Sequence, residues 1–148
     1  MEIKTILWPT DTSEEASQAL PYAQSLAEKY QAEIIVLNVQ DEVTRYEQLA
    51  EAINPDILEH VRKQFMNKSQ KALNTICDQL GGACPRHKQV VINGDAAEEI
   101  LKFVDKNNID LVVMATHGYG GVKRFAFGSV VEKVTRRCPV PVLTVRCK

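Results

Sequence analysis

Short β-rich apolar runs alternate along this sequence with longer segments whose apolar residues recur at helical spacing. The five short runs are predicted as strands at Ile3–Trp8, Glu33–Val39, Gln89–Ile92, Leu111–Met114 and Pro141–Val145. Such alternation is typical of successive βαβ units, in which right-handed crossovers place helices on both faces of a parallel sheet. The sequence therefore predicts an α/β fold with a doubly wound, five-stranded parallel sheet.

The first predicted helix follows the first strand. Thr12 and Glu15 have the spacing of a capping box, and apolar residues recur with helical period from Ala16 to Tyr30. Pro21 falls inside this segment, and a proline inside a helix removes a backbone donor. We therefore expect a kink there.

The second predicted helix is long. Asn54-Pro55-Asp56 is a strong start signal, because Asn caps, Pro suits the first helical position and Asp suits the first turn. Gly81-Gly82 is expected to end the helix. Its predicted core stripe is Ile57, Val61, Phe65, Ala72, Ile76 and Leu80.

Two further helices are predicted, one capped by Asp95 and one beginning near Gly128-Ser129. Their predicted inner residues are Ile100, Leu101, Phe103 and Val104 in the first, and Val130, Val131 and Val134 in the second. Because Pro141 opens the last strand, we expect that strand at an edge of the sheet.

Size and charge limit the functional classes. The 148 residues, 45% hydrophobic and 25% charged, suit one compact domain over 1–148. A formal charge of −1 gives no general attraction to nucleic acid or to an anionic membrane. Without a secretory pattern or a run of about 20 apolar residues, we expect a cytoplasmic protein.

The four cysteines are Cys77, Cys84, Cys138 and Cys147. They lack CxxC spacing and have no nearby histidine in zinc-ligand register, so we expect reduced thiols rather than a metal cluster. A disulfide that involves Cys147 is also compatible with the sequence.

Polar residues follow the predicted strands at the edge where a ligand would bind. In open α/β sheets the binding crevice lies outside the carboxyl ends of the strands. With Thr12 and Ser13 available as caps, Asp11 could accept hydrogen bonds from a ribose hydroxyl or an adenine amine, or hold Mg²⁺ through water. The alternative is that Asp11 simply caps the helix.

A glycine-rich segment, Thr116 to Phe127, joins the fourth strand to the last helix. Glycines let the backbone approach an anion, and a helix start offers N–H groups, so phosphate is the expected guest. Lys123 and Arg124 would add positive charge, and Ser129 could donate to a phosphate oxygen. Alternatively Gly128 is a turn, Ser129 an N-cap and the basic pair solvated. For His117 the sequence leaves three roles open: contact with phosphate, action as an acid or base, or a plain surface position.

These residues resemble the universal stress protein family from one end of the chain to the other, beginning with Ile6-Leu7-Trp8-Pro9-Thr10-Asp11. The nucleotide-binding branch of that family carries Gly-x-x-Gly, nine residues, then Gly-Ser or Gly-Thr. Here Ala115-Thr116-His117-Gly118 is followed by nine residues and then Gly128-Ser129. Ala115 replaces the first glycine, and its methyl group is harmless if it points away from the ligand.

The resemblance implies a Rossmann-like fold, related to the adenine nucleotide alpha hydrolases, with strand order 3-2-1-4-5 and a homodimer through the fifth strand. It also implies a set of binding residues. Thr10, Asp11 and Val39 would surround adenine and ribose, Gly94 and Met114 would line the pocket, and Gly118, Gly128, Ser129 and Val130 would surround the phosphates.

The leading functional hypothesis is a regulatory or stress-response module that binds ATP or AMP, with Mg²⁺ as a candidate metal. The runner-up is a slow ATP hydrolase. Efficient hydrolysis is not expected, because a P-loop and paired carboxylates are missing from the sequence. A nucleotide-free dimeric interaction protein and a flavodoxin-like electron carrier are two further hypotheses. The sequence does not identify the downstream protein partner.

Overall fold

A computed structural model describes residues 2–41, 54–79, 86–117 and 127–147 of the chain. The five strands are β1 Thr5–Pro9, β2 Glu33–Gln40, β3 His87–Asn93, β4 Leu111–Ala115 and β5 Val142–Val145. They form one sheet in the order β3-β2-β1-β4-β5, and every neighbouring pair is parallel. The predicted fold class and strand order are therefore confirmed, and β5 lies at an edge as expected.

β1 is the middle strand, and its register fixes both neighbours. Ile6 pairs with Ile34 of β2 and Leu111 of β4. Because β1 is parallel to both strands, the segments that follow β1, β2 and β4 emerge at the same edge of the sheet.

The helices are α1 Glu14–Ser17, α2 Leu20–Tyr30, α3 Pro55–Gln79, α4 Ala96–Lys106 and α5 Ser129–Arg137. Alternate strand residues face opposite layers of helices, as the pleat requires. Trp8 and Val36 lie in a buried cluster with residues of α2 and α3, which we call the α2–α3 face. Leu7 and Leu37 lie in a second cluster with residues of α4 and α5, the α4–α5 face.

The start of the first helical segment differs from the prediction. Ser13, not Thr12, is the N-cap of α1, and its side chain accepts a hydrogen bond from the Ala16 amide at 3.1 Å. The helix then breaks, and Pro21 lies in the first two positions of α2. A proline there forfeits no intrahelical hydrogen bond, so the expected mid-helix kink was wrong.

The start of α3 is as predicted, because Asn54 Oδ1 accepts a hydrogen bond from the Asp56 amide at 2.9 Å. Its predicted stripe was wrong at Ile57, which is 53% exposed. The buried residues of α3 are Leu58, Leu73, Ile76 and Cys77, whereas Val61, Phe65 and Ala72 are half-buried. Leu80, Gly81 and Gly82 lie outside the described residues.

The last two helices agree closely with the sequence. Asp95 caps α4 by accepting from the Glu98 amide at 3.0 Å. Val131 and Val134 of α5 are buried on the α4–α5 face, and Val130 packs against them half-buried. Across the described ranges, no helix is both long enough and apolar enough to cross a membrane.

Candidate functional site

Thr10 follows β1 and is held firmly by β2. It is buried, and its amide donates to the Leu37 carbonyl oxygen at 2.9 Å. Its carbonyl oxygen accepts from Asn38 Nδ2 at 2.8 Å, and its hydroxyl oxygen accepts from the Thr12 amide at 3.1 Å. Thr10 is therefore a fixed point at the carboxyl edge of the sheet.

Asp11 is exposed, but its carboxylate is already engaged. Oδ1 accepts hydrogen bonds from the Ser13 amide at 3.0 Å and from Ser13 Oγ at 2.5 Å. Ser13 is one of the two predicted caps, and Asp11 supports it through Oδ1. Its role toward a nucleotide stays a prediction.

Thr12 adopts a left-handed backbone conformation, with φ of 66°. For a β-branched residue this conformation costs about 1–3 kcal/mol and persists only where its surroundings enforce it. The contacts of Thr10, Asp11 and Ser13 supply that enforcement. We call residues 10–13, which join β1 to α1, the β1–α1 turn.

Val39 and Met114 lie at the ends of β2 and β4. Met114 is buried in the cluster of the α4–α5 face, and Val39 packs half-buried against the same cluster. Both of these predicted pocket residues therefore belong to one face of the sheet. Their contact with a base stays a prediction.

Gly94 follows β3, where its amide donates to the Gln40 carbonyl oxygen at 3.2 Å. Its φ of 145° is rarely adopted by residues with side chains, and a Cβ would lie 2.6 Å from Glu99 Cγ. The backbone conformation therefore favours glycine here, and any Cβ would also force the Glu99 side chain to shift.

Ala115 ends β4 and is buried on the α2–α3 face, in the same cluster as Trp8 and Val113. Its methyl group therefore contributes to the core of that face, opposite to the face that holds Met114. This placement favours the view that alanine in place of the family's first glycine leaves the ligand uncrowded.

Thr116 joins β4, β5 and the start of α5. Its amide donates to the Val145 carbonyl oxygen at 2.8 Å, and its carbonyl oxygen accepts from the Gly128 amide at 2.8 Å. Its hydroxyl lies 3.0 Å from Nδ1 of the half-buried His117 and accepts from the Cys147 amide at 3.3 Å. Thr116 closes the base of the glycine-rich segment.

Gly128 is the N-cap of α5, with φ of −71°, and the exposed Ser129 is the first helical residue. The alternative in which Ser129 is the cap was therefore wrong. A glycine cap offers no side-chain oxygen to the first N–H groups of the helix. That leaves the helix start suited to an external anion.

The centre of the glycine-rich segment, which includes Gly118, Lys123 and Arg124, lies outside the described residues. In the parts of the chain that are described, no group of three His, Cys, Asp or Glu side chains could hold a metal ion.

Sequence reasoning missed Asn38 and Thr116, the two residues that tie the site segments to the sheet. Asn38 carries a usable signal, since it is the one polar residue in the run Ile34-Ile35-Val36-Leu37-Asn38-Val39. Thr116 carries none, because its partners Gly128 and Cys147 are distant in sequence.

Residues 2–146 match the model of the universal stress protein family. The chain belongs to this family, and the resemblance deduced from the sequence is confirmed. Among its relatives, a universal stress protein of Thermus aquaticus is 30% identical over 97% of this chain and 98% of the relative. Universal stress protein MJ0577 of Methanocaldococcus jannaschii is 27% identical over 98% of this chain and 96% of the relative.

The solved structure of MJ0577 matches with a TM-score of 0.86 over 100% of this chain and 99% of that one. Two more distant structures support the fold alone. A universal stress protein in complex with cAMP is 19% identical, with a TM-score of 0.70 over all of both chains. One from Archaeoglobus fulgidus in complex with dAMP is 14% identical, with a TM-score of 0.66 over 96% of both chains.

Proposed function

We propose that this protein binds an adenine nucleotide, ATP or AMP, at the carboxyl edge of its sheet and acts in the cytoplasm as a regulatory or stress-response module of one domain. The observation that carries the proposal is the hydrogen bond from the Gly128 amide to the Thr116 carbonyl oxygen. It holds the start of α5 beside the end of β4, next to the edge where Thr10 follows β1 and Val39 lies near the end of β2. Phosphate at a helix start and a base over the strand ends is the arrangement expected for this class of fold.

The proposed roles follow from this geometry and from the family pattern. Thr10, Asp11 and Val39 would contact adenine and ribose, and Gly94 and Met114 would line the pocket. Ala115 would lie beside the ligand through its backbone, because its methyl group faces the core of the α2–α3 face. Gly118, Gly128, Ser129 and Val130 would surround the phosphates. Asp11 is also the candidate to hold Mg²⁺ through water. Family members in complex with cAMP and dAMP support an adenine nucleotide as the ligand class.

Binding without efficient turnover is the function we favour. The sequence lacks a P-loop and paired carboxylates at metal-binding spacing, which efficient phosphoryl transfer requires. With Mg²⁺ and ATP, we expect turnover far below the usual enzyme range of about 1–1,000 per second. A steady-state rate within that range that disappears in Asp11→Ala would identify the protein as an ATP hydrolase instead.

The decisive experiment is mass spectrometry of the ligand released by denaturing freshly purified protein, followed by calorimetric titration with ATP and AMP and with GTP as the matched control. We expect an adenine nucleotide to be released and ATP or AMP to bind more tightly than GTP. Released flavin would identify an electron carrier. Failure of the parent to bind any nucleotide at millimolar concentration would favour a nucleotide-free dimeric interaction protein.

A further inference from the structure

Asn38 is a buried polar residue in the largely apolar strand β2. It lies near the carboxyl end of β2, only 4% exposed. Its Nδ2 donates to the Thr10 carbonyl oxygen at 2.8 Å. A carbonyl oxygen only accepts hydrogen bonds, so the amide nitrogen must face Thr10, and the orientation of the side chain is fixed.

This orientation leaves the other side-chain atom of Asn38 unsatisfied. Oδ1 is buried and has no hydrogen-bond partner in the described parts of the chain. A buried, unpaired carbonyl is costly, whereas an apolar residue of similar size would avoid that cost. Stability alone therefore does not account for asparagine at this position.

The hydrogen bond that Asn38 does make acts on the β1–α1 turn. Thr10 is attached to β2 through two hydrogen bonds, one from its amide to the Leu37 carbonyl oxygen and one from Asn38 to its own carbonyl oxygen. The Thr10 hydroxyl then accepts from the amide of Thr12, the residue in the left-handed conformation. Asn38 thus connects β2 to this turn through a side-chain hydrogen bond.

We propose that Asn38 is a positioning residue for nucleotide binding, which holds the Thr10 carbonyl and thereby the left-handed turn that presents Asp11. This inference rests on the proposed function, because it names a residue that prepares the same site without touching the ligand. Fixing a turn before the ligand arrives raises affinity, since less conformational freedom is lost on binding.

Gln40 provides a matched control on the same strand and the same face. It is also buried, its Nε2 also donates to a backbone carbonyl oxygen, that of Phe65 at 3.0 Å, and its Oε1 also lacks a partner among the described residues. Its contacts run to α3, however, and not to the β1–α1 turn. Gln40→Leu removes two side-chain hydrogen bonds, to the Phe65 carbonyl oxygen and to Ser69 Oγ, and Asn38→Leu removes one. Gln40→Leu is therefore at least as disruptive to packing, but only Asn38→Leu affects the β1–α1 turn.

The test compares ATP affinity of the folded variants by calorimetry, with free energies of unfolding measured in urea. We expect Asn38→Leu to bind ATP about three- to tenfold more weakly than the parent, as for one lost neutral hydrogen bond, and Gln40→Leu to bind within about twofold. Asn38→Asp, which keeps the shape but places a carboxylate oxygen against the Thr10 carbonyl, should weaken binding at least as much. If Asn38→Leu does not fold, the smaller Asn38→Ala replaces it, because alanine removes the same hydrogen bond without adding bulk or charge.

Hydrogen exchange of the ligand-free protein provides a readout that does not depend on the nucleotide. The Thr12 and Ser13 amides donate within the β1–α1 turn, so they should exchange faster in Asn38→Leu and at parental rates in Gln40→Leu. A folded Asn38→Leu with parental ATP affinity, or with parental exchange at these two amides, would overturn the inference. If the parent binds no ATP, the proposed function fails, and the exchange comparison alone decides whether Asn38 fixes the turn.

Discussion

The Gly128 amide donates a hydrogen bond of 2.8 Å to the carbonyl oxygen of Thr116, a residue that lies twelve positions earlier in the chain. This contact closes the glycine-rich segment at its base and sets the first turn of α5 next to the end of β4. The start of a helix is a good anion site only if it is held where the anion binds. The two residues therefore define where phosphates are expected.

Replacing Gly128 tests that location. Gly128 has negative φ, and an added Cβ would lie 3.5 Å from the Thr116 carbonyl oxygen, an ordinary contact distance. We therefore expect Gly128→Ala and Gly128→Val to fold, as judged by circular dichroism. ATP affinity should fall progressively from parent to alanine to valine, because the larger side chain blocks approach to the helix N–H groups. A folded Gly128→Val with parental affinity would mean that the phosphates bind elsewhere.

Ala115→Gly separates crowding of the ligand from packing of the core. Because the methyl group lies on the α2–α3 face, its loss should lower the free energy of unfolding by about 1–2 kcal/mol. ATP affinity should stay within about twofold of the parent. Val113→Ala, on the same strand and face, is the control for destabilisation remote from the edge. A tenfold gain in affinity for Ala115→Gly would show that the methyl group crowds the nucleotide.

The β5 edge is the predicted homodimer interface. Leu143 is 37% exposed and Tyr22 is 55% exposed, and both line a groove of about 620 Å³ beside the strand. An uncovered apolar edge strand is an aggregation hazard, so we expect a second copy to cover it. Sedimentation should show a dimer for the parent and a monomer for Leu143→Glu. Ile57→Glu, an equally drastic change on α3, should stay dimeric, and a monomeric parent at micromolar concentration would contradict the prediction.

Two cysteines should be slow to react in the native protein. Burial raises the pKa of the Cys77 thiol above its ordinary value of 9.0, although a hydrogen bond with Gln89 partly offsets the effect. Burial likewise raises the pKa of Cys138. Less thiolate is then present at neutral pH, and the thiolate is the reactive form. Iodoacetamide labelling followed by mass spectrometry should be slower at both sites than in urea-denatured protein, and equal rates would refute this.

The strands, the helix caps and the edge strand were predictable from the sequence, because each depends on residues that are close together in the chain. The apolar runs of β1 to β5, the caps Asn54 and Asp95, and the edge position of β5 follow from burial period, side-chain hydrogen bonding and the missing donor of Pro141. The three segments that meet at the carboxyl edge also follow, because parallel strands end on the same side. These features act over a few residues, so the order of residues is enough to specify them.

Features that depend on contacts between distant residues were not predictable from the sequence and became visible in the folded chain. Thr12 has a left-handed backbone because β2 holds Thr10, and the chain breaks before Pro21, so that this proline begins a helix. Ile57 is exposed although it fits the helical stripe. Asn38 and Thr116 gain their roles from partners that no local pattern relates to them. Such contacts form only when the sheet brings separate segments together, and for that reason the pattern of neighbouring residues does not reveal them.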